Sequence, residues 1–241
     1  MNSKHPKISI ITPSYNQGHY IEQTIQSVLN QNYPNLEYII IDGGSTDNTV
    51  EIIKKYRSQL TYWVSEKDRG QSHAINKGLK IATGDIINWL NSDDFYEPGC
   101  LNVVAEEFKK HKKINAVLGV TRVVGKKVEE YSQTPYTPSL KFTFSKAKIE
   151  QPATFISGDF FRKFGPIDEK LHLAMDLDLW LKFLLTTTSE NISAIDDIIV
   201  NFREHEDSKT VNYREKMVVE RAELLQEVIK SCLTKKGRYE P

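Results

Sequence analysis

Four times in the first 94 residues a short apolar run gives way to a polar loop. The runs are residues 7–12, 36–41, 60–64 and 86–90. They are rich in β-branched and aromatic side chains and read as buried strands. Helical spacing separates them. Ile21, Ile25, Val28 and Leu29 recur within 19–30, and Ala74, Ile75, Leu79 and Ala82 within 72–82. Between these, a helix over about 49–57 is opened by a capping box of Asn48 and Glu51. Strand, loop and helix in this order imply a parallel sheet with right-handed crossovers. The expected class is α/β, a mostly parallel sheet flanked by helices. Pro13 is expected to stop the first strand, because it has no N–H for the ladder.

In such sheets ligands bind beyond the carboxyl ends of the strands. Here those ends carry Pro13-Ser14-Tyr15-Asn16, Asp42-Gly43-Gly44-Ser45-Thr46-Asp47, Ser65-Glu66-Lys67-Asp68-Arg69-Gly70-Gln71 and Asn91-Ser92-Asp93-Asp94. Two adjacent carboxylates repel unless a positive charge stands beside them. A hard divalent cation that holds a diphosphate supplies that charge. The competing reading is that Asp93 and Asp94 open the turn before Pro98-Gly99. A nucleotide needs an aromatic or apolar surface for its base and a carboxylate or amide for the ring edge. Tyr15 and Asp42 offer both, although Asp42 by itself reads better as an Asx turn before two glycines. Neither G-x-G-x-x-G nor G-x-x-x-x-G-K-[ST] occurs, so a dinucleotide fold and a P-loop kinase lack their usual sequence support.

A helix follows Gly99 to about residue 110, with Leu101, Val104, Ala105 and Phe108 as its inner stripe. Lys109-Lys110-His111-Lys112-Lys113 closes it, as favourable charge at a helix C-terminus or as a contact with an anionic membrane surface. Residues 114–120 read as a fifth strand, 125–131 as an edge hairpin, and the rest of 121–150 as a long loop. Phe160, Phe161 and Phe164 recur at helical spacing. Residues 174–185 read as a helix buried on most sides, 195–202 as the last strand, and 213–233 as a final helix that packs back on the domain or dimerises. No repeat or linker divides the 241 residues, so one domain is expected. A division within it is expected at about residue 118. Lys+Arg and Asp+Glu balance at 32 each, against a general nucleic-acid binder. Cys100 and Cys232 lie far apart, and no disulfide framework or apolar leader is evident. No apolar run approaches the ~18 residues of a membrane span. The expected setting is the cytoplasm, with the protein free or peripherally attached to the membrane.

Thr12-Pro13-Ser14-Tyr15-Asn16, Asp42-Gly43-Gly44-Ser45-Thr46-Asp47, Asn91-Ser92-Asp93-Asp94 and Met175-Asp176-Leu177-Asp178-Leu179-Trp180 stand in the order and spacing of family 2 glycosyltransferases. The chain resembles that family from residue 7 to about 205. Residues 66–78 and the Gln151 segment resemble the branch that builds bacterial surface polysaccharides. The resemblance implies a GT-A fold, Rossmann-like, here with a C-terminal helical extension. It also implies a nucleotide-sugar donor, read as a UDP-sugar, with Mn2+ or Mg2+ and inversion at the sugar carbon. The acceptor is then a saccharide or lipid-linked saccharide, with peripheral contact at the cytoplasmic face of the inner membrane.

On that resemblance Pro13, Tyr15, Asn16, Asp42, Arg69, Gln71, Asn91 and Ser92 bind the nucleotide sugar. Asp93 binds the metal, with Asp94 ordering the loop behind it, and Asp176 takes the acceptor proton. Gln151, Arg203 and His205 reach phosphates or acceptor. Adjacent residues on an extended segment face opposite ways, so Asp93 and Asp94 do not both serve one metal. The family's D-x-D motif places its last position on Asp93 and its first on Asn91, where an amide replaces the usual carboxylate. Asp176 and Asp178, two apart on a helix, face opposite sides, so only one serves the site. The other readings are Asp176 as an N-cap, Arg69 as a surface residue, and Arg203 or His205 in a salt bridge with Glu204 or Glu206. His73 stands where this branch often carries aspartate, which leaves its role open. Two other functions compete. A sugar nucleotidyltransferase would need a glycine-rich basic loop that Pro13-Ser14-Tyr15-Asn16 does not provide. A nucleotide-sugar sensor without turnover is kept open by Asn91.

Overall fold

The computed structural model describes residues 5–111, 113–125, 130–133, 150–206 and 208–234. Strands β1 (Ile8–Ser14), β2 (Leu36–Asp42), β3 (Tyr62–Ser65) and β4 (Ile86–Trp89) run parallel. Helices α1 (Ile21–Leu29), α2 (Thr49–Tyr56) and α3 (Gln71–Ile81) cross over between them. There follow β5 (Phe95–Tyr96), α4 (Cys100–Lys110), β6 (Ala116–Val124), β7 (Glu130–Gln133), β8 (Thr154–Ser157), α5 (Gly158–Phe164), α6 (Met175–Thr186), β9 (Ile192–Arg203), α7 (Lys209–Asn212) and α8 (Arg214–Thr234). Among the described residues the strands form one sheet in the order β3-β2-β1-β4-β8-β6-β9-β5, and β7 pairs with β6. β8 runs antiparallel to both β4 and β6, β9 parallel to β6, and β5 antiparallel to β9. The sheet is therefore parallel in its first half and mixed in its second.

The strands read as continuous apolar runs because both faces are covered. Ile8, Ile10, Tyr38, Ile40 and Ile86 face the core shared with α1, α2 and α4. Their neighbours Ile11, Ile39, Ile41, Ile87 and Trp89 face the core shared with α3, α5 and α6. Full burial of each such side chain contributes roughly 1.5–3 kcal/mol, and a slip of one residue would exchange the two sets. Gly78 allows α3 to lie close on β1: a Cβ there would stand 2.4 Å from Ile11 Cγ2. α8 packs on α6 through Leu224 and Val228, which meet Ala174, Leu177 and Leu181. No described helix is long and apolar enough to cross a membrane.

Several expectations are corrected. Pro13 does not stop β1: Pro13 and Ser14 still pair with Ile41 and Asp42 of β2. Pairing on the β4 side ends at Ile11–Trp89, so Pro13 lies where a missing donor on that side breaks nothing. The capping box does not form. Asn48 makes no side-chain cap bond, and Asp47 Oδ1 accepts the Thr49 N–H at 3.0 Å instead. β6 runs on to Val124 and pairs with β7 from Val120–Gln133 to Val123–Glu130. The expected hairpin tip at 126–129 and the loop over 134–149 lie outside the described residues, as does Lys112. Within the lysine run, Lys109 and Lys110 bond to Glu106 and Glu107 of their own helix at 2.6 and 3.2 Å.

Candidate active site

The carboxyl ends of the parallel strands open into a cavity of about 1070 Å³. The loops that rim it are tied to one another. Asn16, at φ 51° in the left-handed region that Asn tolerates, donates its N–H to Ser45 Oγ at 2.7 Å. Its Oδ1 accepts the Thr46 N–H at 2.8 Å. Tyr15 and Pro13 line the cavity, and Asn16 stays behind them as a tie.

Asp42 does not line the cavity. It is fully buried, and its Oδ2 accepts the Gly44 and Ser45 amides at 3.1 and 2.9 Å and the Ser65 hydroxyl at 2.6 Å. Oδ1 accepts the Ser45 hydroxyl, so four donors occupy the carboxylate, shape the turn between β2 and α2 and tie it to the end of β3. The carboxylate that reaches the cavity from this side is Asp68. Its Oδ2 would lie 2.6 Å from a Cβ on Gly43, which is why that position is side-chain-free. Arg69 turns outward, its Nε and Nη2 donating to Glu169 Oε2 at 3.1 and 2.6 Å. His73 Nδ1 accepts the Arg69 N–H at 3.2 Å and takes no part in the wall.

Asp93 and Asp94 point apart across a turn, not along an extended segment as expected: the Asp94 N–H donates to Asn91 O at 3.1 Å. Asp94 is fully buried, and its Oδ1 accepts the Arg203 N–H at 2.9 Å. Its carbonyl accepts the Thr24 hydroxyl at 2.7 Å. Burial first, and then the charge of Asp93, hold the Asp94 carboxyl well above the usual carboxylate range. Asp93 faces the cavity, its Oδ2 lying 3.1 Å from His205 Nε2. Ser92 lines the wall beside it. Asn91 Oδ1 accepts from Gln71 Nε2 at 2.7 Å, and Gln71 Oε1 accepts from Lys209 Nζ at 2.7 Å. This chain brings an ammonium from α7 to the same end of the cavity. Burial lowers the pKa of Lys209, while the charges of Asp93, Glu220 and Asp68 act in the opposite direction.

Arg203 and His205 stand behind this loop rather than in the cavity wall. Arg203 lies over the rings of Tyr20 and Phe95 at 4.9 and 5.2 Å and donates to Asp93 O and Gln23 Oε1 at 2.9 and 2.6 Å. The His205 ring packs on Tyr20, with centroids 4.5 Å apart. Among the described residues no three His, Cys, Asp or Glu side chains converge on a metal position. Small divalent ions are commonly held by one or two carboxylates plus substrate phosphates. With Asp93 at the cavity and Asp94 turned to Arg203, the residues present fit an ion shared with a diphosphate rather than a protein cage.

The same cavity is lined by Asp176, in the first turn of α6. It is not the N-cap, a position held by Ala174, and its Oδ1 accepts the next N–H, that of Leu177, at 2.8 Å. Glu220 of α8 serves the helix start instead, its Oε1 accepting the Leu173 and Ala174 N–H groups at 2.7 and 2.8 Å. Burial raises the pKa of Asp176, and the Arg221 charge and the Leu177 N–H offset only part of that. Asp178 points away, fully buried against Lys182 Nζ at 2.8 Å. Gln151 also lines the cavity, its amide nitrogen donating to Asn88 Oδ1 and Trp89 O at 3.0 and 2.8 Å. Asp68, Lys209, Glu220 and Arg221 were not singled out from sequence. Asp68 stands in a loop already identified as polar, but nothing periodic distinguishes it from Glu66 or Arg69. The other three come from the C-terminal helices, where charge at exposed spacing carries no directional signal.

The family profile described as "Glycosyl transferase family 2" matches residues 9–164. The chain is similar to an uncharacterized glycosyltransferase of Rickettsia typhi, 28% identical over 223 residues, covering 88% of this chain and 68% of that protein. It is also similar to the chondroitin synthase of Pasteurella multocida, 32% identical over 187 residues, covering 73% of this chain and 19% of that one. Several relatives are much longer, and the chain spans only 60% and 32% of two other rickettsial ones. In fold it is similar to S. aureus TarS 1-349 in complex with UDP-GlcNAc, with TM-score 0.70, 21% identity, and 92% and 66% of the two chains covered. It is likewise similar to the mannosyltransferase PcManGT from Pyrobaculum calidifontis in complex with GDP-Man and Mn2+, with TM-score 0.66, 21% identity, and 98% and 66% covered.

Proposed function

Because the chain belongs to glycosyl transferase family 2 and has the GT-A fold, we propose that it moves a sugar from a nucleotide-sugar donor to a hydroxyl of a saccharide or lipid-linked saccharide, with inversion. The observation that carries this reading is one cavity lined by Asp93, Lys209 and Asp176 together. The nucleoside lies along the strand ends, its base against Tyr15 and within reach of Asp68. The diphosphate points toward Asp93, Gln71 and Lys209. Asp93 would hold Mn2+ or Mg2+, which when bound neutralises charge on the departing diphosphate. Asp176 accepts the proton of the acceptor hydroxyl as its oxygen attacks the sugar carbon from the face opposite the diphosphate. The nucleoside diphosphate leaves, and the configuration at that carbon inverts. A lipid-linked acceptor would bring the protein to the cytoplasmic face of the membrane.

The test is a side-by-side calorimetric titration with UDP and GDP, each with and without Mn2+. UDP is expected to bind tighter, and Mn2+ to bind appreciably only when a nucleoside diphosphate is present. Asp93→Ala should remove that metal dependence and leave the protein folded. A clear preference for GDP would overturn the choice of uridine, and unchanged Mn2+-dependent UDP binding in Asp93→Ala would overturn the metal assignment. Release of sugar from a panel of nucleotide sugars then separates an enzyme from a sensor.

A further inference from the structure

Arg221 lines the cavity near enough to Asp176 for its charge to act on that carboxyl, yet it forms no ion pair there. It belongs to α8, beyond the residues matched by the family profile, and lines the same wall as Asp176, Met217 and His172. Its Nε is buried without a hydrogen bond, and among the described residues its guanidinium forms no ion pair. A guanidinium has five N–H donors and no acceptor, and leaving them unpaired in a partly desolvated wall is unfavourable. Two nearby carboxylates, Glu220 and Asp176, are turned elsewhere. Glu220, its neighbour in sequence, gives Oε1 to the Leu173 and Ala174 N–H groups. Asp176 gives Oδ1 to the Leu177 N–H and makes no ion pair with the guanidinium.

Two cations that line the cavity thus differ in how they are engaged. Lys209 is hydrogen-bonded into the Gln71–Asn91 chain. Arg221, whose charge acts on Asp176, is left without a hydrogen bond at Nε, and an acceptor hydroxyl must lie beside Asp176 for Asp176 to take its proton. A planar fork of donors matches a carboxylate or phosphate in two parallel hydrogen bonds. We propose that Arg221 holds an anionic group, carboxylate or phosphate, on the acceptor, so that this enzyme's acceptors are charged saccharides. The proposal rests on reading the cavity as a glycosyltransferase site. The fork also offsets the repulsion that an anion would otherwise feel beside Asp176, and a second fixed point on the acceptor orients its hydroxyl toward the base.

The test compares methyl β-glucoside, methyl β-glucuronide and methyl β-glucoside 6-phosphate, which differ only at C6. Binding of each to the protein loaded with UDP and Mn2+ is measured for the wild type, Arg221→Gln and Arg221→Lys. The wild type should bind at least one anion about tenfold or more tighter than the neutral sugar, the scale of a charge-assisted hydrogen bond. Arg221→Gln should erase the preference and Arg221→Lys should keep part of it. Which anion wins distinguishes carboxylate from phosphate. Equal binding of all three sugars, no binding of either anion, or a preference that survives in Arg221→Gln overturns the proposal. If Arg221→Gln fails to fold, Arg221→Lys decides, because loss of the two-pronged geometry should still weaken the preference. Failure of the wild type to bind UDP would instead overturn the glycosyltransferase reading.

Discussion

Asp176 and Asp178 lie two residues apart and call for opposite experiments. Asp176→Asn keeps the shape of the side chain and an oxygen for the Leu177 N–H, but removes the proton acceptor. Turnover should fall by ~10²-fold or more, the usual scale for a positioned base, with UDP affinity and melting temperature nearly unchanged. A wild-type rate would remove Asp176 from the mechanism. Its pKa is raised by burial, so the ionised, active form is lost as pH falls through that raised value. The acid limb of a pH–rate profile should therefore lie above where an unperturbed aspartate would put it. Asp178→Asn strips Lys182 of its buried partner. Breaking a buried pair costs roughly 3 kcal/mol or more, so the unfolding free energy should drop by about that much, which denaturant titration measures. The order of the motifs singled out Asp93 and Asp176, and both line the cavity. It singled out Asp42 and Arg69 too, whereas of the three residues Asp42, Asp68 and Arg69 only Asp68 lines the cavity. Which of them faces the cavity depends on contacts such as that of Arg69 with Glu169, which no local period encodes.

At the scale of the element, α8 completes the start of α6. The usual cap is a polar side chain at the first position of the helix itself, but Ala174 stands there and Glu220 supplies the oxygen from another helix. A carboxylate at a helix N-terminus also meets a favourable dipole. Glu220→Ala should lower stability by about 1 kcal/mol and depress turnover, because the first turn of α6 carries Asp176. Glu220→Gln, which keeps an acceptor oxygen, should be milder in both. Equal melting temperatures and rates for Glu220→Ala and the wild type would count against the cap. Long elements with clear period, such as β1, β2, α3, α6 and α8, were legible to within a few residues. β5 was not, because it is two residues long and exists only through its pairing with Val200 and Asn201. The capping box failed because Asp47, one residue earlier, reaches the Thr49 N–H first.

Across the whole molecule, the parallel half of the sheet is pinned by Glu37. Its carboxylate accepts from Ser9 Oγ at 2.5 Å and from Thr83 N and Oγ1 at 2.7 Å each, joining β1, β2 and the turn before β4. Burial raises its pKa, but the bonds from Ser9 and Thr83 and the charge of Lys7 outweigh burial and leave it lowered. A lowered folded-state pKa contributes stability that is present above the ordinary value, about 4.3, and lost as pH falls through the folded value. Glu37→Gln should therefore be less stable than the wild type at neutral pH and lose less on acidification to below about pH 4. Urea melts at pH 7 and pH 3.5 check both, and parallel losses in the two proteins would sink the idea. The first half of this architecture could be read from strand–helix alternation, since each crossover is local in sequence. The mixed second half could not, because β8 slots between β4 and β6 by pairing that no spacing announces.

β5 pairs with β9, and Asp94 is held by the Arg203 N–H, 109 residues further along. Strands β1 to β4 and their crossovers are local in sequence, so contacts among them can form early as the chain leaves the ribosome. The Asp93 loop at that stage lacks Arg203, His205 and Lys209. That loop reaches its final form only when β9 and α7 have been made and docked, however early the strands before it come together.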